Sequence, residues 1–133
     1  MAKYHACVWI DQRHAKVFEI EPEMVRKIEL NDPRPNRHLH RRANHVGLGT
    51  IEMNPVLLSE VAQAIGGAKA ILILGPGKAR VVLGGYLQEH FRRIADRIWG
   101  TEPCDHPTDA EVVARARTFF RSADRMHALG KEP

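Results

Sequence analysis

The sequence predicts an α/β domain in which one mixed sheet of about four to five strands packs with three helices. Three observations carry that prediction. Short runs rich in valine, isoleucine and aromatics open the chain. A wholly apolar run, Ala70–Leu74, lies between a lysine and a glycine, as a strand buried on both faces would. Three later segments repeat apolar residues at helical spacing. The length, 133 residues, suits one domain, with a core expected over about residues 4–126.

Taken in order, Ala6–Asp11 and Lys16–Glu21 read as a hairpin closed by the four-residue turn Asp-Gln-Arg-His. Val25–Leu30 reads as a third strand with Val25, Ile28 and Leu30 as its apolar positions. From Asn31 to Thr50 the periodicity is lost, and prolines at 33 and 35 and glycines at 47 and 49 punctuate the stretch. So long a loop in a compact domain is expected to be functional or mobile. Pro55–Ile65 spaces Leu57, Leu58, Val61, Ala62 and Ile65 along one helical face. Asn54 is its N-cap, Pro55 its first residue, and Gly66-Gly67 its end. After the Ala70–Leu74 strand, a long helix is predicted from Ala79 to Ile98, lined by Leu83, Leu87, Phe91, Ile94 and Ile98. Trp99–Glu102 suits an edge strand or a loop. Thr108 and Glu111 form a capping box for a last helix running to about Met126.

Composition removes several function classes. No apolar run reaches the ~18–20 residues of a membrane span. The first residues lack the apolar stretch of a signal peptide. Cys7 and Cys104 form no CxxC and no metal-finger spacing. A cytoplasmic, reduced protein with no membrane partner is expected.

Charge is unevenly placed. The chain holds 20 Lys and Arg against 16 Asp and Glu. Pro33–His45 contains Arg34, Arg37, Arg41 and Arg42 and no acid, so the remainder balances at 16 of each sign. The same stretch carries His38, His40 and His45. Such a cluster can neutralise phosphates, and its arginines and histidines can stack on unpaired bases. It equally suits a solvated basic loop. A metal site at His38 and His40 is disfavoured, because no acid or cysteine completes a ligand set and Arg37, Arg41 and Arg42 would repel a cation.

Two further candidates follow. Gly75-Pro-Gly-Lys-Ala-Arg80 joins a buried strand to a helix start, where amides converge on an anion and Lys78 and Arg80 add charge. It is neither a Walker loop nor a dinucleotide fingerprint, since Leu72, Ala79 and Arg80 occupy positions that those motifs reserve for Gly, Ser or Thr, and Gly. Gly75 and Gly77 are accounted for as well by a tight turn. On the last helix Arg117, Arg121 and Arg125 recur every four residues, and on the long helix Arg93 and Arg97 do so. Glu89, Asp96 and Asp124 are placed to neutralise part of this charge in exposed ion pairs. Asp105-His106-Pro-Thr-Asp109 could supply a His–Asp pair for acid–base work, but the simpler account is a loop into a capped helix, with Asp109 favourable near the helix N-terminus. No nucleophile, catalytic residue or cofactor motif is assigned.

The combination of VWID and KVFEI in the hairpin, the basic loop, AIGGAKAILILGPGKAR, and WGTEPCDHPTDAEVVARARTFF resembles the bacterial translational machinery protein family. Those small proteins are related to the C-terminal (third) domain of class I eukaryotic and archaeal release factors and of Pelota. The resemblance covers about residues 4–126 and is most specific over Ala68–Arg80. It implies a single α/β domain with a mixed sheet, shared with kink-turn-binding ribosomal proteins, and a protein-interaction role beside a partner GTPase. The Gly-Gly-Gln motif of peptide release, which belongs to another domain, is absent: the Gly-Gly pairs here precede Ala68 and Tyr86.

Three functions therefore compete. One is a non-enzymatic translation-associated module meeting ribosomal RNA or a ribosome-bound factor through Arg34, Arg37, His38, His40, Arg41, Arg42, Arg117 and Arg121. The second is a small-anion or nucleotide protein, or an enzyme, using Gly75, Gly77, Lys78 and Arg80. The third is a homo-oligomer or protein-interaction module without nucleic acid.

Overall fold

The computed structural model describes residues 4–33 and 53–130. Chain order is β1 (His5–Ile10), β2 (His14–Glu21), β3 (Met24–Asn31), α1 (Pro55–Ile65), β4 (Ala70–Gly75), α2 (Ala79–His90), α3 (Arg92–Ala95), β5 (Ile98–Pro103) and α4 (Asp109–Gly130). The five strands form one mixed sheet in the order β3-β2-β1-β4-β5. Strands β1, β2 and β3 pair antiparallel. Strands β1, β4 and β5 run parallel.

Alternation along the strands builds two cores. Val8, Ile10, Val17, Ile71 and Ile73 face α1 and α2, where Leu57, Val61, Leu83 and Leu87 cover them. Cys7, Trp9, Phe18, Leu72 and Leu74 face α4, which contributes Val112, Ala116 and Phe120. Strand β4 lies between two partners and under helices on both faces, so every residue of it is buried. Each large side chain so buried stabilises the fold by about 1.5–3 kcal/mol. The indole of Trp9 keeps its N–H satisfied by donating to the Asp105 carbonyl at 2.9 Å. Burial among these apolar groups pushes the Cys7 thiol far above its usual range.

The local signals act as expected at several ends. The Asn54 side chain accepts from the Val56 amide at 3.0 Å and starts α1. The Glu111 amide donates to Thr108 Oγ1 at 3.1 Å, and the Thr108 amide donates to Glu111 Oε1 at 2.8 Å, completing the capping box. The Asp11 carboxylate accepts from the amides of Arg13 and His14 at 2.9 and 2.7 Å, so the first turn is shorter than expected and His14 already belongs to β2.

Two further boundaries differ from expectation. The helix predicted to run from Ala79 to Ile98 stops at His90; Phe91 takes φ −140° and ψ 64°, and Ile98 opens β5 instead. The reason is length. A helix of 20 residues spans about 30 Å, which would overshoot a strand like β4, whose six residues span about 20 Å. The chain must return to the start of β4, where the Ile71 amide donates to the Arg97 carbonyl at 2.9 Å and parallel pairing begins. The second difference is at Asn31, which ends β3 rather than beginning a loop.

Candidate polyanion-binding site

Arg34, Arg37, His38, His40, Arg41 and Arg42 lie outside the described residues. The residues that flank them are described, and they meet. Asp32 and Asn54 are both buried. The Asn54 side-chain amide donates to Asp32 Oδ1 at 2.9 Å across 22 residues of sequence. The Asp32 amide donates to the Arg13 carbonyl at 2.8 Å. The Arg13 guanidinium lies 3.7 Å from Asp32 Oδ2 and donates to the Asp32 carbonyl at 3.4 Å. The end of β3, the first hairpin turn and the start of α1 are thus tied through one buried carboxylate. A buried carboxylate persists only when paired and hydrogen-bonded, and Asp32 is both. Sequence reasoning identified Asn54 as a cap but missed Asp32, because its partners are distant in sequence and Asn-Asp-Pro reads as an ordinary turn.

The Gly75–Arg80 turn joins β4 to α2. Gly75 has φ +151°, and a Cβ there would stand 2.1 Å from the Ile10 carbonyl oxygen. Gly77 has φ +60°, the left-handed region that favours glycine. Both glycines are therefore required by the backbone. Arg80 folds back on the same turn: its Nε donates to the Gly75 carbonyl at 2.9 Å and Nη2 to the Gly77 carbonyl at 3.4 Å. Lys78 is exposed at the N-cap of α2 and makes no side-chain capping bond. With Arg13, His14 and Gly77 it lines an open cleft of about 410 Å³ between the first hairpin turn and the β4–α2 turn. This is the carboxyl end of two adjacent parallel strands, the position where open α/β sheets admit ligands.

The helical arginines separate into two sets. Arg115 is held by Glu102 at 2.9 Å and Arg92 by Asp96 at 3.5 Å. Arg97 does not continue a basic face with Arg93; it follows α3 and its guanidinium donates to the Gly66 carbonyl at 2.7 Å. On α4, Asp124 lies 3.5 Å from His5 rather than beside an arginine. Among the described residues Arg117 and Arg121 have no ion-pair partner. His106 packs against Trp9, with ring centroids 5.3 Å apart, which supports the loop reading of Asp105-His106. The described residues contain no cluster of three or more His, Cys, Asp or Glu able to hold a metal. No helix among them is long and apolar enough to cross a membrane.

No protein-family model matches the chain, and no curated protein matches it. Solved structures do. Archaeoglobus fulgidus Pelota is 13% identical with a TM-score of 0.60, over 98% of this chain and 38% of that one. Thermoplasma acidophilum Pelota is 20% identical with a TM-score of 0.58, over 88% of this chain and 32% of that one. This chain has the fold of a release-factor C-terminal domain. The archaeal translation termination factor aRF1 adds a TM-score of 0.53 at 11% identity, over 96% of this chain and 41% of that one. The release-factor-like fold thus spans well under half of each of these longer chains, and at these identities the likeness concerns architecture. It bears out the mixed sheet and its helices as read from the sequence.

Proposed function

We propose that this chain is a non-enzymatic, translation-associated module that binds ribosomal RNA through the basic segment containing Arg34, Arg37, His38, His40, Arg41 and Arg42. The observation that carries the reading is where the charge lies. The described residues hold equal numbers of acidic and basic side chains, so the net positive charge of the protein resides outside them, chiefly in that one segment. The buried Asp32–Asn54 contact joins the end of β3 to the start of α1, one on each side of that segment in the sequence. A polyanion is the partner such a cluster suits, because each neutralised phosphate releases counterions. The shared architecture with Pelota and a translation termination factor supports the translational setting. The rival small-anion reading loses ground because Arg80 is engaged by its own turn.

Fluorescence polarisation with a labelled single-stranded RNA tests the proposal. Affinity should fall steeply with salt, and the variant R37A/R41A/R42A should reduce the log–log salt slope by about 2. Absence of binding at low salt, or an unchanged slope in the variant, overturns it. A nucleotide or phosphorylated metabolite that raises the melting temperature through the Lys78 cleft would favour the small-anion reading instead.

A further inference from the structure

We infer that the groove between α4 and the β2–β3 edge docks an acidic, amphipathic helix of a partner protein. The inference is independent of RNA binding by the basic segment, since the groove is built from residues of α4, β2 and β3 and from none of that segment.

The groove arises from incomplete cover. On the α1 side of β3, Ile28 and Leu30 are packed against the core. On the α4 side, Val25 remains 38% exposed and Lys27 and Glu29 are exposed. The hollow left there has a volume of about 540 Å³, with Val25, Ala110, Val113 and Ala114 among its walls and Arg117 at its rim. Ala110, Val113, Ala114 and Arg117 are spaced as one stripe of α4, and Arg121 lies one turn further along it.

Charge selects the occupant. Asp109, also on the groove, is already taken by Lys27 at 2.6 Å and Lys16 at 3.4 Å. Lys27 is doubly held, meeting Glu29 at 2.6 Å as well. Arg115, on the other side of the helix, has Glu102. Like Arg125 further along the helix, Arg117 and Arg121 have no ion-pair partner among the described residues. A partner that matches the surface brings carboxylates to these two guanidinium groups and apolar side chains to Val25, Val113 and Ala114, the helix-in-groove mode of recognition. A second copy of α4 would bring its own arginines and repel. An RNA strand would set its phosphates over apolar walls that offer no exposed aromatic ring for base stacking.

The test is an NMR titration of the full chain with three probes. One is a synthetic helical peptide of about 15 residues with leucines on one face and glutamates beside them. The others are its glutamate-to-lysine counterpart and a single-stranded RNA. The acidic peptide should shift amides at Val25, Val113, Ala114 and Arg117, and R117E/R121E should weaken it by about tenfold. Ala114→Lys adds positive charge while filling the groove, so it should weaken the acidic peptide as well. Ala114 and Arg121 are exposed and Arg117 is half-buried, so these variants should keep the wild-type spectrum away from the groove. The inference is overturned if the acidic peptide shifts no groove residue, if Ala114→Lys strengthens its binding, or if the RNA or a second copy shifts the same residues more strongly. Loss of RNA binding in R37A/R41A/R42A leaves this result unchanged, so the two proposals fail separately.

Discussion

Two stretches looked alike as phosphate sites in the sequence, and the described residues at each are held in different ways. The β4–α2 turn is closed by steric need. Gly75 passes against the Ile10 carbonyl, Gly77 turns left-handed, and Arg80 bonds the carbonyls of both. The β3–α1 connection is closed instead by a buried polar contact, Asp32 with Asn54 and Arg13, around a segment that carries the excess charge. A glycine-rich turn whose geometry demands glycine says little about ligands. A buried carboxylate that gathers three separate elements marks a structural closure, because its desolvation cost must be offset by the partners it holds.

Substitutions at the two closures should break in different ways. Gly75→Ala forces a Cβ into the backbone of the central strand, and should cost roughly 3 kcal/mol or more. Chemical denaturation would show this as a large fall in midpoint or as loss of folded protein. Asp32→Ala leaves Asn54 and Arg13 without their carboxylate and should cost about 2–3 kcal/mol in the same measurement. A near-neutral Asp32→Ala would mean that the contact does not close the segment. In the basic segment, R37A/R41A/R42A should leave the denaturation midpoint unchanged while lowering RNA affinity by about tenfold or more at low salt. Arg80→Ala is the matching control. It should cost about 1 kcal/mol of stability, and RNA affinity should not move; a drop comparable to the triple variant would return the turn to the binding site.

The smallest effect concerns His5 on the α4 face. Its ring stacks on Phe120 at 4.3 Å, and burial holds the imidazole below its usual range, with Asp124 opposing in part. The folded state therefore prefers neutral His5. Its stability contribution is complete above the unfolded value of 6.5 and declines as pH falls from there toward the lower folded value. Thermal melts across that window should decline less steeply for His5→Gln than for the wild type.

Much of the fold was legible because its signals are local. The Asn54-Pro55 start, the Thr108–Glu111 box and the Ala70–Leu74 run each involve residues within one turn or one strand. The break at Phe91 was not legible, since Leu83, Leu87, Phe91, Ile94 and Ile98 keep helical spacing. What ends the helix is the parallel pairing of Ile98 with Ile71, a contact made elsewhere in the chain. The same limit hid Asp32. Its role depends on Asn54 and Arg13, and no spacing rule joins residues on three elements. On α4 the regular spacing of Arg117, Arg121 and Arg125 was plain, but that Arg115 is the arginine held by a carboxylate depends on Glu102 of β5.

Ribosome co-sedimentation across a salt series tests the central claim most directly, using wild type beside R37A/R41A/R42A. The protein should travel with ribosomes at low salt, leave them as salt rises, and leave earlier in the variant. Equal retention of both proteins at every salt concentration, or wild type that never pellets with ribosomes, would contradict the account.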